Sequence, residues 1–236
     1  MSTIDLWIQW LRGPLFWAAL AFLVLGLGRL VVLTLWGMVR TIRRAGDRTI
    51  PVGQVARATL RWILPVTRVG NRPWYSVTTV VFHASVLLVP VFLAGHVALW
   101  QRGLGVSWWA LPNTVSDVLT LLALAAAVAI VAQRLWHDDA RALGRAREYV
   151  LPLLIAVPFA SGFLVMHPAW NPLPHDVAML LHVLSADLLL FLIPMTKLSH
   201  MVLLPTTQLV SELAWHFPPD AGSKVAAALG KAGEPI

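Results

Sequence analysis

The sequence predicts an all-α membrane protein of five transmembrane helices, and three observations predict it. Of 236 residues, 58% are hydrophobic and 12% charged, with a mean hydropathy of +0.73; a water-soluble domain is about 25% charged. Five apolar runs are long enough to cross a ~30 Å hydrocarbon layer, which takes about 20 helical residues. The arginines are sorted into alternate loops, as the positive-inside rule requires. The net charge of +7 therefore reads as topology, and nucleic acid is not an expected partner. There are no cysteines. That excludes disulfides, cysteine-held zinc or iron–sulfur clusters in this chain, and covalently attached c-type haem. A cofactor here has to be held by His, Met or carboxylate.

The first span is placed at Leu15–Val39. No basic segment precedes it and it is long enough to span, so no secretory signal is expected. The second is placed at Val77–Trp100 with Pro90 inside it, and the third at Val115–Leu135. The fourth, Tyr149–His167, is short and carries Pro152 and Pro158, which buried neighbours can accommodate. The fifth, Val177–Leu204, is the longest, and a tail over residues 205–236 follows it. The five make a single membrane domain over residues 1–236, without an internal repeat. Between the first two spans, "PVGQVARATLRWIL" reads as a short amphipathic helix on the membrane surface.

Orientation follows from charge. The loop after the first span holds Arg40, Arg43, Arg44, Arg48, Arg57, Arg61, Arg68 and Arg72; the loop after the third holds Arg141, Arg145 and Arg147. The second-to-third loop has only Arg102, and "PAWNPLPHD" has no Lys or Arg. The N-terminus is therefore expected outside and the C-terminus in the cytoplasm. Tryptophans agree, with Trp100, Trp108, Trp109 and Trp170 at the outer boundary and Trp36, Trp74 and Trp136 at the inner one.

Four of the eight histidines fall inside spans: His83 and His96 in the second, His182 and His200 in the fifth. Ionisable residues at such depth are costly and point to function. On an uninterrupted helix His182 and His200 share one face, ~27 Å apart, and His83 and His96 lie ~19 Å apart. Antiparallel spans then put His83 level with His200 near the cytoplasm, and His96 level with His182 near the outside. Two imidazoles at each of two levels is what two bis-histidine b haems need. The thirteen-residue spacing of His83 and His96 turns through ~220° on an ideal helix, so Pro90 has to re-aim one ring. The alternative is that the histidines hydrogen-bond across the bundle as polar glue.

The segment "LHVLSADLLLFLIPMTKLSHMVLLP" resembles the last helix of the respiratory nitrate reductase gamma subunit family, through Leu181-His182, Pro194, Lys197, Leu198, His200 and Pro205. "VFHASVLLVPVFLAGHVALW" resembles that family's second helix, through Phe82-His83 and Gly95-His96. The spacing of this histidine pair is wider than the family's, and no lysine stands early in the third span. The resemblance therefore implies a relative of the kind that serves sulfite-reduction-associated, heterodisulfide-reductase-like or hydrogenase complexes. It implies a haem-binding bundle in a bacterial or archaeal cytoplasmic membrane, with two haem b. Their ligand pairs would be His83/His200 and His96/His182.

Other polar residues are read beside this. Lys197 would pair with a haem propionate or snorkel to lipid headgroups. Arg29 would pair with Asp187 or a propionate. His167, His175 and Asp176 crowd the outer mouth and are candidates for a quinone site, though loop histidines are commonly just solvated. His137 and His216 are expected on the cytoplasmic surface. The expected function is electron transfer between the quinone pool and a cytoplasmic iron–sulfur subunit of a respiratory oxidoreductase, docked on the arginine-rich face. The competing classes are a haem-free proton-conducting subunit using Asp187, His182 and Arg29, and a structural anchor.

Overall fold

The computed structural model describes residues 3–45, 52–63, 73–214 and 221–232, and among them all regular structure is helical. Helix α1 (Thr3–Trp10) runs through one π-helical turn, Leu11–Leu15, into α2 (Phe16–Ala45). Then come α3 (Val52–Ile63), α4 (Pro73–Phe92), α5 (Ala94–Leu104), α6 (Asn113–Trp136), α7 (Asp138–Leu143) and α8 (Ala146–Met166). Helices α9 (His175–Met195), α10 (His200–Ala214) and α11 (Ala221–Ala228) complete the chain. Five stretches are long and apolar enough to cross a membrane: Thr3–Arg43, Pro73–Phe92, Asn113–Trp136, Ala146–Met166 and His175–Met195. Arg48, Arg68, Arg72 and His216 lie outside the described residues.

The chain divides into two compact units, Met1–Ala19 with Arg68–Leu189, and Leu20–Thr67 with Leu190–Ile236. In the first, α6 packs against both α4 and α8. Its buried stripe is Ser116, Thr120, Ala123, Ala127 and Ile130, spaced three or four apart as one helical face must be. Small side chains there let the backbones approach closely, the usual device where lipid removes the hydrophobic drive between helices. The outward positions Val118, Leu121, Leu122 and Val128 are exposed, which suits a hydrocarbon surround. In the second unit α3 packs against α10, burying Val55 and Thr59, so the amphipathic helix expected on the membrane surface has a protein partner. There too Phe22 meets Phe191, ring centroids 5.3 Å apart.

Three spans differ from expectation. The first begins earlier and contains the π turn, with Pro14 inside it; proline cannot donate to the helical ladder, and the turn widens around it. The second is not one helix to Trp100. It breaks at Leu93, whose φ of −66° and ψ of 131° are extended. The carbonyls that the break strips of helical partners are taken up one by one. Pro90 O accepts from the His96 ring (3.0 Å), Val91 O from Trp108 Nε1 (3.0 Å), and Phe92 O from Leu111 N (2.8 Å). In an apolar surround such groups have to be paired. The fifth span also breaks, between its histidines. Pro194 is the penultimate residue of α9, Thr196 is extended (φ −124°, ψ −176°), and a 3-10 turn, Lys197–Ser199, leads into α10. The shared face of His182 and His200 rests on a continuous helix, and that helix is interrupted at Thr196.

Candidate functional site

His96 and His182, both in the first unit, are brought together as the sequence paired them. Their ring planes lie within 3° of parallel and their centroids are 6.1 Å apart. The break at Leu93 makes this possible by replacing the ~220° arc with a new helix, α5, on which His96 stands in the first turn. His96 Nδ1 lies 3.0 Å from Pro90 O, and His182 Nδ1 lies 2.9 Å from Pro158 O. A carbonyl only accepts, so Nδ1 carries the proton in both rings. Each Nε2 is left with its lone pair, the state in which imidazole binds a metal.

Other histidines show why this pair is distinct. His83 Nδ1 bonds Thr79 O (2.8 Å) and His137 Nδ1 bonds Gln133 O (2.7 Å), both to the preceding turn of their own helix, a bond any exposed helical histidine can make. His182 reaches a carbonyl on a different helix, and His96 reaches past a helix break. Room for the His182 ring comes from Gly162 on α8: a Cβ there would stand 2.9 Å from His182 Cε1 and 3.0 Å from Nδ1.

Two imidazoles with free Nε2 lone pairs are the donor type that a bis-histidine haem uses. Imidazole nitrogen binds first-row metals at ~2 Å, so two rings on opposite sides of one ion have centroids ~6 Å apart. The residues that would hold the iron are His96 and His182. Among the described residues no cluster of three or more His, Cys, Asp or Glu gathers at one point, and a bis-histidine haem needs none.

His83, in α4, belongs to the first unit, and His200, which opens α10 with Nδ1 2.7 Å from Lys197 O, to the second. Arg29 lies in the second unit and Asp187 in the first. Asp187 is 2% exposed, and neither of its carboxylate oxygens has a hydrogen-bond partner among the described residues. Lys197 has an exposed side chain at the break.

The three residues expected at a quinone site separate. His167 Nδ1 lies 2.9 Å from Phe163 O, and its Nε2 lies 3.3 Å from Asp117 Oδ2, so a protonated ring satisfies both acceptors. Asp176 instead accepts from Val177 N (3.0 Å) at the start of α9, and His175 is exposed. Asp117 was missed in the sequence. Matching depths would have found it, because it opens the third span at the level where His167 closes the fourth. Gly162 was also missed, and its signal is weak: it is one of three small residues, Ala160, Ser161 and Gly162, between Phe159 and Phe163.

Between α6 and α8, Arg134 lies 3.5 Å from Glu148 and Arg147 lies 3.7 Å from it, while Arg141 pairs with Asp138. Part of the positive charge of that loop is thus balanced locally.

The chain is 32% identical over 198 residues to a protein of Nitratidesulfovibrio vulgaris (strain Hildenborough), a match covering 82% of this chain and 86% of that one. No family model matches the chain, and no solved structure matches it.

Proposed function

The chain belongs to the same family as that Nitratidesulfovibrio vulgaris protein, and we propose that it is a b-type cytochrome, the membrane subunit of a quinone-linked respiratory oxidoreductase. The observation that carries this reading is the His96–His182 pair, with parallel planes, 6.1 Å between centroids, and both Nδ1 protons committed to non-local carbonyls. Haem b bound there supplies reversible one-electron transfer. His96 and His182 hold it, the Pro90 and Pro158 carbonyls keep each Nε2 deprotonated, and Gly162 leaves space for the ring.

The resemblance to nitrate reductase gamma subunits extends the proposal to a second haem b on His83 and His200. It also extends it to quinone as substrate and a cytoplasmic iron–sulfur subunit as partner. His167, paired with Asp117, is then the residue that accepts and passes on a quinol proton. The N-terminus is outside, as the arginine distribution supports.

A pyridine haemochrome assay on the purified chain should give about two haems per polypeptide. His182→Ala and His96→Ala should each remove the same one. A stably folded but colourless chain from haem-replete cells contradicts the proposal and favours the haem-free proton-conducting or anchoring alternative. Orientation is tested separately, because the chain has no cysteine of its own. A membrane-impermeant maleimide should label Ser107→Cys from outside intact cells and leave Arg145→Cys unlabelled; the reverse pattern inverts the topology.

A further inference from the structure

A cleft of about 370 Å³ opens between the π turn at the start of the first span and the end of α5, with Gln9, Arg12, Trp17, Leu99, Arg102 and Gly103 among its lining. All of these residues belong to the first unit. Its construction is specific. Gly103 receives the Trp17 indole so closely that a Cβ could not be placed without moving the ring, and Trp17 meets Trp100 edge to face at 5.9 Å. This contact draws the end of α5 against the start of α2 and turns two guanidinium groups onto one space. The π turn places Arg12, and such turns recur at functional sites.

The cleft is cationic without compensation. No carboxylate lines it, and among the described residues no ion pair involves Arg12 or Arg102. Both arginines sit at the end of the spans that the arginine distribution assigns to the outside, where positive charge is disfavoured. Both residues are exposed, open to an anion that enters the cleft. The cleft also adjoins the histidine pair. Leu99 and Arg102 follow His96 by three and six residues on α5, ~5 and ~9 Å along the axis.

We propose that this cleft is a carboxylate site, and that Arg12 and Arg102 bind the propionates of the haem held by His96 and His182. The inference rests on the haem reading above and deepens it by assigning the residues that orient the group. Haem b carries both carboxylates on one edge, and guanidinium pairs with carboxylate through two parallel hydrogen bonds. Two such pairs fix which edge of the haem faces outward. They also place positive charge beside it, which favours the reduced-to-oxidised balance on the reduced side and so raises the midpoint potential. The same oxyanion chemistry is offered by the phosphate of an anionic lipid, and the experiment separates the two.

Arg12→Gln, Arg102→Gln and the corresponding Lys variants would be purified as full chains. Haem content, the midpoint potential of the haem that His182→Ala removes, and co-purifying phospholipid phosphorus would be measured. Each Gln substitution should lower the potential of that haem, with the double variant lower still or depleted of it. The other haem should not move, and the Lys variants should keep most of the potential. A wild-type chain that holds haem, with Gln variants of unchanged content and potential, overturns this proposal alone. If those variants lose bound phospholipid instead, the cleft holds a lipid headgroup. A folded wild-type chain without haem overturns this inference together with the haem reading.

Discussion

At the scale of single residues, the site depends on one atom that is absent. His182 stands where a Cβ on residue 162 would be, and its ring is held in place by the 2.9 Å bond to Pro158 O. The ring cannot yield without losing that bond. Gly162→Ala should therefore displace the imidazole and cost ~1–3 kcal/mol, the usual range for overpacking. On the proposed haem reading it should also convert that haem partly to a high-spin form. Unfolding in a detergent titration and the visible spectrum check both effects; a variant with wild-type stability and spectrum shows that the contact is slack. The four histidines were legible from the sequence, because polar residues stand out against an apolar run; the structure keeps only His83 and His182 inside stretches long and apolar enough to cross a membrane, because the helices break before His96 and His200. The supporting atoms were not. A backbone carbonyl has no sequence signature, and Gly162 matters only once it is known which ring lies over it.

At the scale of the element, proline explains both departures from straight spans. Pro90 and Pro194 were visible, but where each helix breaks was not. The break falls three residues after Pro90, at Leu93, and two after Pro194, at Thr196, positions decided by which nearby groups can take the stripped carbonyls and amides. Trp108, Leu111 and the His96 ring do so at the first. Thr196 Oγ1, accepting from Leu198 N at 3.3 Å, does so at the second. Within the second unit Pro194 also shapes its neighbour: a Cβ at Gly26 would stand 2.6 Å from Pro194 Cβ. A proline ring cannot rotate aside, so Gly26→Ala should cost ~1–3 kcal/mol. Adding Pro194→Gly should recover most of it in a double-mutant cycle, whereas additive losses show that the two residues do not meet in the membrane.

At the scale of the molecule, the architecture was legible and the connectivity of contacts less so. Composition and run length gave five spans, since hydrocarbon thickness leaves a helix few alternatives. The stripe of small residues on α6 follows from the same physics. The paired level of His96 and His182 was found by counting rise along antiparallel helices, a step that needs no packing detail. Their mutual orientation could not be counted. It depends on the reset at Leu93, and it yields the sharpest consequence of the structure. On the proposed haem reading, imidazoles with planes 3° from parallel would split the iron d orbitals unequally, whereas perpendicular rings would leave them nearly degenerate. Electron paramagnetic resonance of the oxidised protein reads this directly. The account predicts a rhombic low-spin ferric component that His96→Ala and His182→Ala each abolish while the signal of the other proposed haem remains; a wild-type spectrum without that component, or one that neither substitution changes, would contradict it.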